Sequence, residues 1–103
     1  MPLQLPHDPE ALAAFCNRHR VEGFYVFGSA VRGDLRPDSD VDVMLAFGPE
    51  TAPSLFDLGG MQQELEALFG RRVDLVTREA VELMQNPIRR ANILAGAERV
   101  DAA

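Results

Sequence analysis

Three observations predict an α/β (α+β) domain, a small β-sheet flanked by helices. Apolar runs of strand length, at 24–27, 41–47 and 72–76, alternate with segments whose apolar residues recur at helical spacing. The 103 residues are enough for one core, so a single domain over residues 1–103 is expected. A hydrophobic content of 47% fits a globular chain and excludes general disorder.

The elements follow in order. Residues 1–7 carry two prolines and form a loose lead-in. Asp8-Pro9 starts a helix, with Asp8 as N-cap and Pro9 at the first helical position. Leu12, Phe15, Cys16 and His19 give that helix one apolar face; Cys16 reads as a small core residue, and His19 complements the C-terminal dipole. Gly23 marks the break before a first strand at 24–27, apolar on both faces and so expected to be covered on both sides. Residues 30–33 predict a short helical stretch, and 35–39 a loop with Pro37-Asp38 as its turn. The second strand covers 41–47 and a proline-containing loop covers 48–53. Ser54 caps the next helix, with Asp57 completing a capping box; Leu58, Met61, Leu65, Leu68 and Phe69 set its period and Gly70 stops it. A short strand over 72–76 contains Asp74. Thr77 caps a helix to about Gln85, Asn86-Pro87 restarts one that ends near Gly96, and 98–101 form a short edge strand.

Charge and composition narrow the function. A net charge of −6 leaves no basic footprint for nonspecific nucleic-acid binding, so no direct nucleic-acid partner is expected. Arg71-Arg72 and Arg89-Arg90 read as solvated faces or partner contacts. The single cysteine excludes an internal disulfide and a Cys-based zinc cluster, and neither His7 nor His19 has a partner at metal spacing. No apolar run approaches a membrane span and no signal peptide is visible, so the expectation is a soluble cytoplasmic protein with no membrane contact.

The chemistry concentrates in residues 24–45. An apolar strand ends in Gly28-Ser29, where the backbone turns; ten residues later the next strand opens with Asp40-Val41-Asp42. Residues two apart on a strand share a face, so Asp40 and Asp42 project together while Val41 and Val43 point to the core. Two neighbouring carboxylates repel, and a divalent cation between them removes that penalty; oxygen ligands suit Mg²⁺. Asp74 is a polar residue in the apolar strand Val73-Asp74-Leu75-Val76, where a charge is costly unless paired or metal-bound. An ion pair with Arg71 or Arg72 is the structural alternative. Gly28 permits close backbone approach, Ser29 offers a hydroxyl to phosphate, and Arg32 either contacts phosphate or braces the loop by pairing with an acid.

Gly28-Ser29, Arg32-Gly33, a short loop and Ser39-Asp40-Val41-Asp42 together resemble the signature of the polymerase β-like nucleotidyltransferase superfamily, in particular its minimal nucleotidyltransferase (MNT) branch. Members of that branch are often antitoxins paired with HEPN-domain toxins. The resemblance implies a mixed sheet, with the motif residues gathered at one edge of it. It implies Asp40, Asp42 and Asp74 as catalytic and metal-binding acids, with two Mg²⁺ ions, and Gly28, Ser29 and Arg32 as nucleotide-binding residues. ATP as the substrate and a HEPN-type toxin as the partner rest on the resemblance alone. The implied activity is transfer of AMP from ATP to a hydroxyl of that toxin. Two other readings remain: an antitoxin that acts by contact with a vestigial nucleotide site, and a metal-binding regulatory domain.

Overall fold

The computed structural model describes residues 8–28 and 40–100. The short helix expected at 30–33, the loop at 35–39, and Ser29, Arg32, Gly33 and Asp101 lie outside those residues.

Helix α1 (Pro9–His19) begins as its sequence directs: the Asp8 side chain accepts from the Glu10 amide at 3.0 Å, with proline in the first turn. Its end differs from expectation. Arg20, in the left-handed region at φ 57, stops the helix, and strand β1 (Val21–Phe27) starts at once. Gly23 is therefore no boundary but an internal strand residue at a register shift, where Val21 faces Phe47 and Gly23 faces Ala46. A Cβ there would come within 2.7 Å of the Tyr25 ring, so the glycine makes room for the ring.

Strand β2 (Val41–Phe47) has the bounds the sequence predicts. Helix α2 (Leu55–Phe69) opens with a complete capping box: the Asp57 amide donates to Ser54 Oγ at 3.1 Å, and the Ser54 amide donates to Asp57 Oδ2 at 3.0 Å. The hydrogen bonds from Ser54 hold the Asp57 carboxyl below the usual carboxylate range. Gly70, at φ 70, ends the helix. We expect Ser54→Ala to cost about 1 kcal/mol of stability, read from urea unfolding; a midpoint equal to that of the wild type would show that the box contributes nothing.

Strand β3 (Val73–Thr77) leads through the Thr77 cap into α3 (Arg78–Glu82), which is shorter than expected. Asn86 caps α4 (Pro87–Gly96), and β4 (Glu98–Arg99) closes the described chain. The sheet order is β3-β2-β1-β4. β1 pairs antiparallel with β2 and β4, and β2 pairs parallel with β3. The sheet is mixed, as the resemblance implied.

Alternation divides the two faces. Phe24, Val26, Val41, Val43, Leu45 and Val73 point one way and pack with Leu12 and Phe15 of α1 and Met61, Leu65 and Phe69 of α2. On the opposite face, Met44 packs with Val81 of α3 and Ile93 of α4, beside Tyr25, Phe27 and Val76. This second layer is smaller. Tyr25 and Phe27 are only partly buried, so β1 is covered on both sides but unequally. Cys16 lies half-buried beside the larger core, and burial pushes its thiol up, away from the reactive thiolate.

Candidate active site

Position 42 lies on the lightly covered face, opposite in parity to Val41 and Val43. The parallel register sets Asp42 directly beside Asp74 and Val41 beside Val73. Cross-strand partners share a face, so two carboxylates that stand far apart in the chain stand as neighbours. The antiparallel register sets Phe27 on the other side of Asp42. The candidate residues thus collect at one end of three adjacent strands, not along an edge strand. This corrects the arrangement expected from sequence. The C-terminal end of β1 meets the N-terminal ends of β2 and β3 because β1 runs opposite to both.

Gly28 follows β1 at φ 74, a conformation that L side chains rarely adopt. Its role goes beyond turning. A Cβ built there would overlap Oδ2 of Asp42 and lie 3.2 Å from its Cγ. The missing side chain is the space the carboxylate occupies, so Gly28 is a cradle for Asp42. The sequence signals the turn; it carries no sign of this contact, which depends on cross-strand register.

Asp40 is exposed and directly precedes β2, whose first amide donates to the Arg72 carbonyl at 2.9 Å. Asp74 is also exposed, on a strand bordered by β2 alone. The expected desolvation cost at Asp74 is therefore absent: α3 and α4 cover Val76 and Met44 but leave the start of β3 open. What singles out Asp74 is its register with Asp42, not burial. Ser29 and Arg32 fall outside the described residues.

The donor set is chemically suited to Mg²⁺: hard carboxylate oxygens in register, one backed by a glycine that leaves room for them. Among the described residues, no three His, Cys, Asp or Glu side chains gather closely enough to hold a metal together. The described arrangement is a neighbouring pair, Asp42 and Asp74, with Asp40 at the lip.

A cavity of about 540 Å³ lies elsewhere, bordered by α1 and α2 on the far side of the sheet. Its polar groups are occupied with one another. Arg18 donates to Glu64 at 3.1 Å, and the His19 ring meets the second Glu64 oxygen at 2.5 Å. Burial would raise the Glu64 carboxyl; hydrogen bonding and charge from His19 and Arg18 outweigh it and hold Glu64 below its usual range. This explains His19 as an ion-pair partner at a helix end.

Comparison with known proteins agrees with this geometry. The nucleotidyltransferase domain family matches residues 9–96. Protein adenylyltransferase MntA of Thermococcus cleftensis is 45% identical over 65 residues, covering 63% of this chain and 64% of that protein. A provisionally named protein adenylyltransferase of Methanocaldococcus jannaschii is 31% identical over 65 residues, 63% of this chain and 65% of its own length. The chain thus matches a little under two thirds of the length of these two relatives. A solved structure described, provisionally, as a minimal nucleotidyltransferase is 36% identical, covers 89% of this chain and 88% of its own, and superposes with a TM-score of 0.65. A toxin–antitoxin crystal structure with AMP-PNP shares the fold at a TM-score of 0.68 and 17% identity, over 89% of this chain and 71% of that one. The mixed four-stranded sheet with helices on both faces is the polymerase β-like nucleotidyltransferase fold, and the chain belongs to the nucleotidyltransferase domain family, beside its minimal members.

Proposed function

We propose that this chain is an Mg²⁺-dependent protein adenylyltransferase that moves AMP from ATP to a hydroxyl of a partner toxin of the HEPN type, and so acts as its antitoxin. The observation that carries the reading is the register of Asp42 with Asp74, with Gly28 cradling the first. The name of the Thermococcus cleftensis relative supports adenylyl transfer as the chemistry. The toxin–antitoxin context of a fold neighbour supports the kind of partner.

Asp40, Asp42 and Asp74 would hold the metal, which when bound supplies screening of triphosphate charge. The chain's own residues do the rest. Asp74 takes the proton of the acceptor hydroxyl as its oxygen attacks the α-phosphorus. A new P–O bond forms to the acceptor, the bond from the α-phosphorus to the bridging oxygen breaks, and pyrophosphate departs. Gly28 opens the turn toward the β- and γ-phosphates, where Ser29 adds a hydroxyl donor and Arg32 a cation. The partner brings its hydroxyl to an open strand end, and docking supplies the orientation. The site lies at exposed strand ends, and a net charge of −6 disfavours a polynucleotide primer as acceptor. We further propose that the chain works as a single domain, in the cytoplasm; among the described residues no helix is long and apolar enough to cross a membrane.

Co-expression with the product of the adjacent reading frame, followed by intact-mass spectrometry, tests the proposal. The expected result is a partner heavier by one AMP or more, and an unmodified partner when Asp40→Asn and Asp42→Asn are combined. A partner that is inhibited yet unmodified, equally with wild type and double variant, would replace the enzyme with an antitoxin acting by contact alone.

A further inference from the structure

A cleft of about 480 Å³ opens beside the Gly28 turn. Phe27 and Gly28 form one wall and α4 forms the other, through Asn86, Arg89, Asn92 and Ile93. Gly28 thus borders two spaces: the Asp42 carboxylate and this cleft. A nucleotide whose α-phosphate lies at the acids must lay its nucleoside on a neighbouring surface, and the cleft adjoins them through one residue. Its volume is in the range of small-molecule sites, roughly 300–1,000 Å³. Its lining joins an aromatic ring and an aliphatic side chain, suited to a planar base, with a few polar groups on one helix face.

We infer that this cleft seats the nucleoside and that Asn92 reads the base as adenine, an inference that rests on the proposed activity. The two asparagines are not equivalent. Asn86 spends its side-chain oxygen on the helix cap, accepting from the amides of Ile88 and Arg89 at 3.1 Å each. It has no acceptor to spare in that direction. Asn92 lies mid-helix and exposed, with a full carboxamide to offer. A carboxamide presents one donor and one acceptor side by side, which matches an adenine edge carrying N6–H₂ beside a ring nitrogen. The Hoogsteen edge of guanine shows two acceptors and cannot satisfy both groups. Arg89, one turn earlier on the same wall, is the contact that would matter if the cleft held phosphates instead.

Calorimetric titrations of the full chain with ATP, GTP and inorganic triphosphate, each with Mg²⁺, test this on wild type, Asn92→Ala and Arg89→Ala. Asn92 is exposed and alanine favours helix, so the variant keeps the fold. The expected result is a loss of about five- to tenfold in ATP affinity for Asn92→Ala, collapse of the ATP-over-GTP preference, and triphosphate affinity equal to wild type. Unchanged ATP affinity in Asn92→Ala overturns the inference and leaves the proposed activity standing. So does an equal loss of ATP and triphosphate affinity in Arg89→Ala, which would make the cleft a phosphate site. A wild-type chain that fails to bind MgATP overturns the activity itself and the inference with it.

Discussion

Asp42→Asn is expected to slow AMP transfer by about 10²–10³-fold, the scale of losing several kcal/mol of charge stabilisation at the reacting phosphate. Asparagine keeps the shape and the place in the ladder but removes the charge that pairs with Asp74 across the register. Asp74→Asn is expected to lose turnover to a similar degree yet bind MgATP as wild type, because it faces the acceptor and not the triphosphate. Affinity in Asp42→Asn should fall along with rate. Thermal unfolding separates chemistry from folding: neither variant should melt lower than wild type, since each removes one of two like charges held side by side. Wild-type transfer in Asp42→Asn would refute the assignment of the site. Equal loss of binding in both variants would refute the division of roles.

Gly28→Ala should be the most damaging single methyl group in the chain. Two costs add. The backbone at φ 74 is strained for any residue with a Cβ, by about 1 kcal/mol or somewhat more. The methyl also enters the space of the Asp42 carboxylate. We expect a stability loss of about 1–3 kcal/mol and a drop of at least about tenfold in MgATP affinity, as the acid is pushed from its place beside Asp74. A double-mutant cycle with Asp42→Gly isolates the second cost. Removing the carboxylate removes the obstacle, so the stability penalty of Gly28→Ala should shrink to its backbone part. Strict additivity would mean that Gly28 serves the turn alone.

Much of this was legible in the sequence because the chemistry involved is local. Asp8, Ser54, Thr77 and Asn86 each cap the helix that follows them, and capping needs only a side-chain oxygen and an amide two or three residues on. Strand β2 keeps its expected bounds because a charged start and a glycine end frame an apolar run. The misreading of Gly23 has a different origin. A glycine at a bulge and a glycine at a boundary look alike until the partner strand is known, and Ala46 is far away in the chain. Asp74 was found for an incomplete reason: periodicity identifies a polar residue in a strand, whereas cover depends on where α3 and α4 end. The register of Asp42 with Asp74, the overlap at Gly28 and the cleft beside α4 are all relations between distant segments, beyond what spacing can encode.

One pairing has a consequence for how activity arises during folding. Parallel neighbours cannot be joined by a hairpin, so β2 reaches β3 only by way of α2, which crosses the far face of the sheet. Contacts of that kind close long loops and form slowly compared with local ones. The two acids come side by side only after α2 has docked and β3 has found its register. An incompletely folded chain can carry every helix cap and the β1–β2 hairpin pairing and still lack a site. Catalytic competence is thereby tied to the last long-range step of folding. A nucleotide that bridges β1, β2 and β3 would bind the finished fold alone and draw the population toward it by mass action.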